Sequence, residues 1–202
     1  MPRTGWTPRC ARSSGASVDP AQADALLAPL RALGPVNDTI ATIPVPALSH
    51  LHMDPEQPVP GAGDGLMIDR LPSEAIDAFV GAAGAGAAFP LVSVEVRHLG
   101  GEFARPRPGN GALASIDAQY GLYAVGMTPV PDLVAPVMGQ IEAVKRALAP
   151  WTAPRMYLNF AETQGPAAPF WTEQAYQRLR RIKADVDPGD VIRSNHPIPP
   201  AR

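Results

Sequence analysis

The sequence predicts an α+β fold: a mainly antiparallel or mixed sheet with helices packed on one face. Three observations carry this expectation. Val134, Val137, Ile141, Val144 and Leu148 recur at alternating spacings of three and four, the mark of an amphipathic helix. Val92, Val94 and Val96 alternate with Ser93, Glu95 and Arg97, the mark of a strand with one apolar and one polar face. The 25 prolines and 18 glycines imply many short elements joined by rigid turns rather than long helices.

Taken in order, residues 1–18 show no periodicity and are rich in Ser, Arg, Thr and Gly, which reads as a poorly ordered leader. Asp19 is suited to cap a helix with Pro20 at its first position; Ala23, Leu26, Leu27, Leu30 and Leu33 form its stripe, Pro29 bends it and Gly34 ends it. Residues 39–43 read as a short strand, 44–52 as a turn or short helix, and 54–65 as a loop. Residues 65–71 read as a strand feeding a helix that starts at Pro72 or Ser73, with Ala75, Ile76, Phe79 and Val80 inward and a glycine-alanine tail. Residues 91–99 are the best strand in the chain; Gly100-Gly101 turns it, a Pro-rich loop follows, and residues 112–127 supply one or two return strands. Pro131 opens the helix of the Val134 stripe and Pro150 closes it. Residues 157–160 read as a strand in which Tyr157 and Asn159 share a face. The last helix spaces Trp171, Ala175, Leu179 and Ile182, gathers Arg178, Arg180, Arg181 and Lys183 in its final turns as a solvated face, and stops at Asp187-Pro188-Gly189.

Composition excludes several classes. A chain of 202 residues, 46% hydrophobic, with mean hydropathy −0.04 describes a soluble globular protein. No run approaches the roughly 18 apolar residues of a spanning helix, and the arginines near the start precede no apolar segment, so no membrane partner is expected and the cytoplasm is the default location. A net charge of −2 offers no basic field for nucleic acid. Cys10 is the single cysteine, which rules out an internal disulfide and a cysteine metal site. His50 and His52 have no third ligand at useful spacing, so no metal is expected. The glycine-alanine run at 81–86 follows a helix and precedes a strand, the reverse of a phosphate-cradling loop.

The motifs gather near the end. Tyr157-Leu158-Asn159, the run from Tyr176 to Lys183, Asp187-Pro188 and the stretch Asn195, His196, Pro197, Ile198, Pro199, Pro200 together resemble the C-terminal tail of the berberine-bridge-enzyme-like FAD-linked oxidoreductases, oxidases with a PCMH-type FAD-binding domain. The Leu-rich first helix and the Val-rich strand with its Gly100-Gly101 turn are similar to that family's substrate domain, so the resemblance covers roughly residues 20–200. It implies residues 19–155 as a partial substrate-binding domain and 156–202 as a berberine-like segment.

The resemblance also implies a chemistry: oxidation of a small organic substrate by hydride transfer to FAD. It places Tyr157 as the base that takes the substrate proton, a role needing neighbours that stabilise a phenolate because free tyrosine ionises near 10. Asn159 and Asn195 then bind the cofactor through their amides. On the polar face of the 91–99 strand, Glu95 and Arg97 wall the substrate cavity. The plainer alternatives stay open: Tyr157 packs in the sheet, Asn195 caps a turn before Pro197, and Glu95 and Arg97 lie on a solvated strand face. The family's glycine-rich pyrophosphate loop and flavin-linked histidine have no counterpart, so FAD binding by this chain alone is doubtful and no turnover alone is expected. The expected partner besides substrate is a separate FAD-domain chain or a second copy, since a truncated sheet exposes an unpaired edge. The alternative function is a non-catalytic small-molecule binding or interaction module.

Overall fold

The structure is a computed structural model describing residues 19–51, 56–87 and 89–201. The expected leader at 1–18, with Cys10, and His52 lie outside the described residues. The chain divides into two compact units, Met1–Pro58 and Val59–Arg202.

In the first unit, helix α1 spans Pro20–Arg31 as the capping signals require, with the Asp19 carboxylate accepting from Ala21 N at 2.9 Å and Gly34 at φ 64° just past its end. Residues 45–50 form a 3-10 turn. The strand expected at 39–43 does not form. Arg31 Nη2 donates to the Ile40 carbonyl at 3.2 Å and Asp38 Oδ1 accepts from Ile40 N at 3.0 Å, so side chains take the backbone groups a neighbouring strand would use.

The second unit holds a three-stranded antiparallel sheet in the order β1-β3-β2, with β1 at Gly61–Ile68, β2 at Ser93–His98 and β3 at Tyr120–Met127. Strand β1 starts four residues before the expected position, so part of the expected 54–65 loop is strand. The return stretch supplies one strand, not two. Register pairs Gly65 with Tyr123 and Glu95 with Tyr123, which fixes the faces of all three strands.

Helices α2 (Ser73–Ala83) and α3 (Val134–Ala147) cover one face. Leu66, Ile68, Leu122 and Ala124 from the sheet meet Val137, Ile141, Val144 and Leu148 from the α3 region, with Val94 and Val96 at the margin. Each fully buried aliphatic side chain contributes about 1.5–3 kcal/mol. Val134, first in the predicted stripe, stays 42% exposed because it sits at the helix start, clear of the sheet. One charge is set into this layer: Asp64 on β1 is buried and accepts from Lys145 Nζ of α3 at 2.7 Å, with Glu142 at 2.8 Å on the same ammonium. Burial works to lower the Lys145 pKa, but the bonds to Asp64 and Glu142 outweigh it and hold it above its ordinary value.

The outer edge of β1 is covered by the chain after α3. Asp69 N donates to Trp151 O at 2.9 Å, Ala153 N to Met67 O at 2.8 Å, and Gly63 N to Glu162 Oε2 at 3.0 Å. Helix α4 (Glu173–Val186) follows, capped by Thr172 Oγ1 on Ala175 N at 3.2 Å. Its cations are not all a solvated face. Arg180 Nε donates to Pro199 O at 3.3 Å and Arg180 O accepts from Ala201 N at 3.0 Å, while Lys183 bonds Asp187 and reaches Ile192 O at 2.9 Å. Asp187 also accepts from Val191 N at 2.8 Å and Ile192 N at 3.0 Å, so one carboxylate turns the chain from helix into tail. Among the described residues no helix is long and apolar enough to cross a membrane.

Two outcomes follow from these charges. Lys145→Met leaves Asp64 buried without its cation and is expected to destabilise the unit by about 3 kcal/mol, read as a shift in urea midpoint at unchanged slope. The bond from Lys183, then those from Val191 N and Ile192 N, hold Asp187 down to about 2. A depressed carboxyl stabilises fully above its unfolded value, about 3.9, and that contribution disappears as pH falls through the folded value. Protection of the Val191 and Ile192 amides, taken relative to their intrinsic exchange rate at each pH, is therefore expected to fall between about pH 4 and 2, and to be already lost at neutral pH in Asp187→Ala.

Candidate functional site

The face of the sheet turned away from the helices is built from the alternate residues of each strand: Gly63, Gly65 and Met67 on β1, Gly121 and Tyr123 on β3, and Glu95 and Arg97 on β2. The segment after α3 lies across this face. Residues 157–160, expected as a strand, instead close a 3-10 turn at Leu158–Phe160, with Phe160 N donating to Tyr157 O at 3.0 Å and Ala161 N to Leu158 O at 3.3 Å. The alternation that paired Tyr157 with Asn159 therefore does not operate. Residues three apart eclipse in such a turn, so Tyr157 meets Phe160, ring centroids 5.3 Å apart and edge-on at 76°.

Phe160 is the hub. Its ring lies 5.3 Å from that of Tyr123, and the Arg97 guanidinium sits 5.1 Å over it. It comes this close because the strands beneath it carry no side chain there: a Cβ on Gly65 would press into Leu122 O of the paired strand and lie 2.8 Å from Phe160 Cβ, and one on Gly121 3.1 Å from Cε2. Arg97 Nη2 pairs with Glu95 Oε1 at 2.6 Å. The Tyr123 hydroxyl donates to Glu162 Oε1, whose partner oxygen holds Gly63 N. Burial first, and then the hydrogen bond to Glu162, push the Tyr123 phenol above the ordinary tyrosine range.

Of the five residues the sequence singled out, Tyr157, Glu95 and Arg97 are brought together through Phe160. Asn159 and Asn195 are exposed and join no hydrogen bond among the described residues. The tail carrying Asn195 nonetheless runs beside the turn, because the His196 ring nitrogens face Ala161 O at 2.9 Å and Gly165 O at 3.3 Å, with the ring edge-on to Phe170 at 4.6 Å. Sequence reasoning missed Tyr123, Phe160 and Glu162. Tyr123 carried a usable signal, alternation with the core residue Leu122 along β3; Phe160 and Glu162 carried none, because their role depends on which strand the turn crosses.

The donor set bears on what the face could hold. Among the described residues no group of three His, Cys, Asp or Glu is arranged for a metal. The glycine-alanine run at 81–86 leaves the C-terminal end of α2, with Gly84 as its cap, and so presents carbonyls rather than the amides a phosphate requires. The amides of Asn159 and Asn195 are exposed, and the described residues show no cradle for a pyrophosphate. An open cleft of about 310 Å³ at the β1 edge lies between Gly65 and Met67 of β1, Lys145 and Arg146 of α3, and Arg155.

Residues 156–199 match the family model described as berberine and berberine like. No curated protein matches the sequence. Among solved structures, the chain is similar to a chitooligosaccharide oxidase (17% identity, TM-score 0.70, covering 92% of this chain and 45% of that one). It is similar also to an aclacinomycin oxidoreductase (15%, 0.67, 92% and 42%) and to the xylooligosaccharide oxidase of Myceliophthora thermophila C1 (18%, 0.64, 92% and 44%). The chain spans between a third and a half of the length of the solved structures it matches. Residues 156–199 match the berberine-like model, and the chain has the fold of part of the berberine-bridge-enzyme-like oxidoreductases.

Proposed function

We propose that this chain supplies the substrate-facing half of an FAD-dependent oxidoreductase acting on a small organic molecule. The observation that carries the reading is the single face on which Tyr157, Phe160, Tyr123, Arg97 and Glu95 are assembled by a segment matching the berberine-like model. In this reading residues 19–155 are the substrate-binding part and 156–202 the berberine-like segment. Flavin, when bound, accepts a hydride from the substrate carbon. Tyr157 takes the proton from the substrate as that bond breaks, and its edge-on contact with Phe160 fixes where the phenol points. The Arg97 and Glu95 pair, anchored over the same ring, offers one donor and one acceptor to polar groups of the substrate. Asn159 and Asn195 address the flavin edge from the turn and the tail. The described residues hold the substrate-facing groups and form no cradle for the flavin pyrophosphate.

A second reading, a small-molecule binding module without catalysis, draws on the 310 Å³ cleft beside Lys145, which falls at the lower bound of ligand-sized pockets. The two separate in one experiment. Combined with an FAD-loaded PCMH-type domain, the chain is expected to support substrate-dependent bleaching of the flavin band, and Tyr157→Phe to slow it at least about 100-fold. Bleaching unchanged in that variant would remove Tyr157 as the base. Ligand binding at the Lys145 cleft with no flavin reduction in any combination would favour the module. A purified chain that is yellow and oxidises substrate unaided would contradict the absence of a cradle.

A further inference from the structure

Two phenols, Tyr123 and Tyr157, flank Phe160 on the proposed face, and they are held in different ways. The Tyr123 hydroxyl is engaged by Glu162, and Glu162 is itself fixed by Gly63 N at 3.0 Å. Among the described residues no hydrogen bond engages the Tyr157 hydroxyl. Glu162 follows Phe160 by two residues, so the same carboxylate that meets Tyr123 also ties the turn bearing Tyr157 to the edge of β1.

We infer that Glu162 is a positioning residue, which locks the Tyr123 phenol as a protonated donor and leaves Tyr157 as the phenol free to exchange a proton. The chemistry follows from the donor inventory. A carboxylate only accepts, so the Tyr123 proton points at Glu162 and its oxygen lone pairs are what remain for a neighbour. Tyr123 thus becomes an acceptor toward a substrate hydroxyl or amine, not a base: removing its proton would set a phenolate against Glu162, with Glu95 across the strand pair and Asp64 on the adjacent strand adding further negative charge. The positioning role rests on the oxidoreductase reading; the hydrogen-bond arrangement beneath it does not.

The test uses the chain alone, with no flavin or substrate. In a sample carrying ¹³Cζ-tyrosine, the Tyr123 resonance is expected to stay in its protonated position about one pH unit above the ordinary tyrosine value of about 10. Its hydroxyl proton is expected to exchange slowly and to show a cross-peak to the Glu162 side chain. In Glu162→Gln, which keeps the shape and an acceptor for Gly63 N, the Tyr123 midpoint should fall by about one unit or more while the Gly63 amide stays protected. An unchanged midpoint in that variant would show that burial alone holds the proton, and the inference would fail. If the variant does not fold, the wild-type cross-peak decides, its absence contradicting the inference. Failure here leaves hydride transfer and the Tyr157→Phe outcome untouched, and failure of those leaves this bond in place.

Discussion

The seat of Phe160 on bare backbone is the contact on which the rest of the proposed site depends. The ring rests where Gly65 and Gly121 place no side chain, and a methyl at Gly65 would press both into the Leu122 carbonyl of β3 and into Phe160 Cβ. Everything polar on that face is organised around it: Arg97 lies over the ring, Tyr157 meets its edge and Tyr123 its side. Aromatic contacts of this kind contribute about 0.5–1.5 kcal/mol each beyond the area they bury, so several converging on one ring define a geometry rather than merely filling space. Glu162 then fixes the end of the turn, bonding strand β1 through Gly63 and strand β3 through Tyr123.

The two faces of the sheet divide the labour. The helical face is apolar apart from the Asp64–Lys145 pair, and it supplies the burial that holds the unit together. The opposite face gives up strand side chains so that a turn from elsewhere in the chain can bring aromatic and charged groups to it. The tail completes this arrangement from outside: Asp187 turns the chain, Arg180 holds residues 199–201 against α4, and His196 sets residue 195 beside the turn.

Where a signal was local, the sequence carried it. The α3 stripe, the Asp19 cap and the alternation of Val94 and Val96 with Glu95 and Arg97 each depend on spacing alone, and each recurs in the structure. The glycines of 61–65 were read as loop because glycine is a poor strand former, whereas their strand exists to receive another segment's side chain. Residues 157–160 were read as a strand with Tyr157 and Asn159 on one face, yet among the described residues no strand pairs with them and the chain closes a 3-10 turn. The expected strand at 39–43 failed for a related reason, since Arg31 and Asp38 took its backbone groups. In the site, Tyr157, Glu95 and Arg97 were legible as residues while their convergence was not, because Phe160 joins them across segments more than fifty residues apart.

The central claim is that the glycine seat beneath Phe160 assembles the proposed face. The most direct measurement is a comparison of Gly65→Ala with Gly81→Ala, a control on the outer surface of α2 where an added methyl meets nothing. Ring-to-ring cross-peaks from Phe160 to Tyr157 and Tyr123 are predicted to vanish in Gly65→Ala and to persist in Gly81→Ala, with the α3 core contacts of Ile141 kept in both. Retention of both ring contacts in Gly65→Ala would contradict the account.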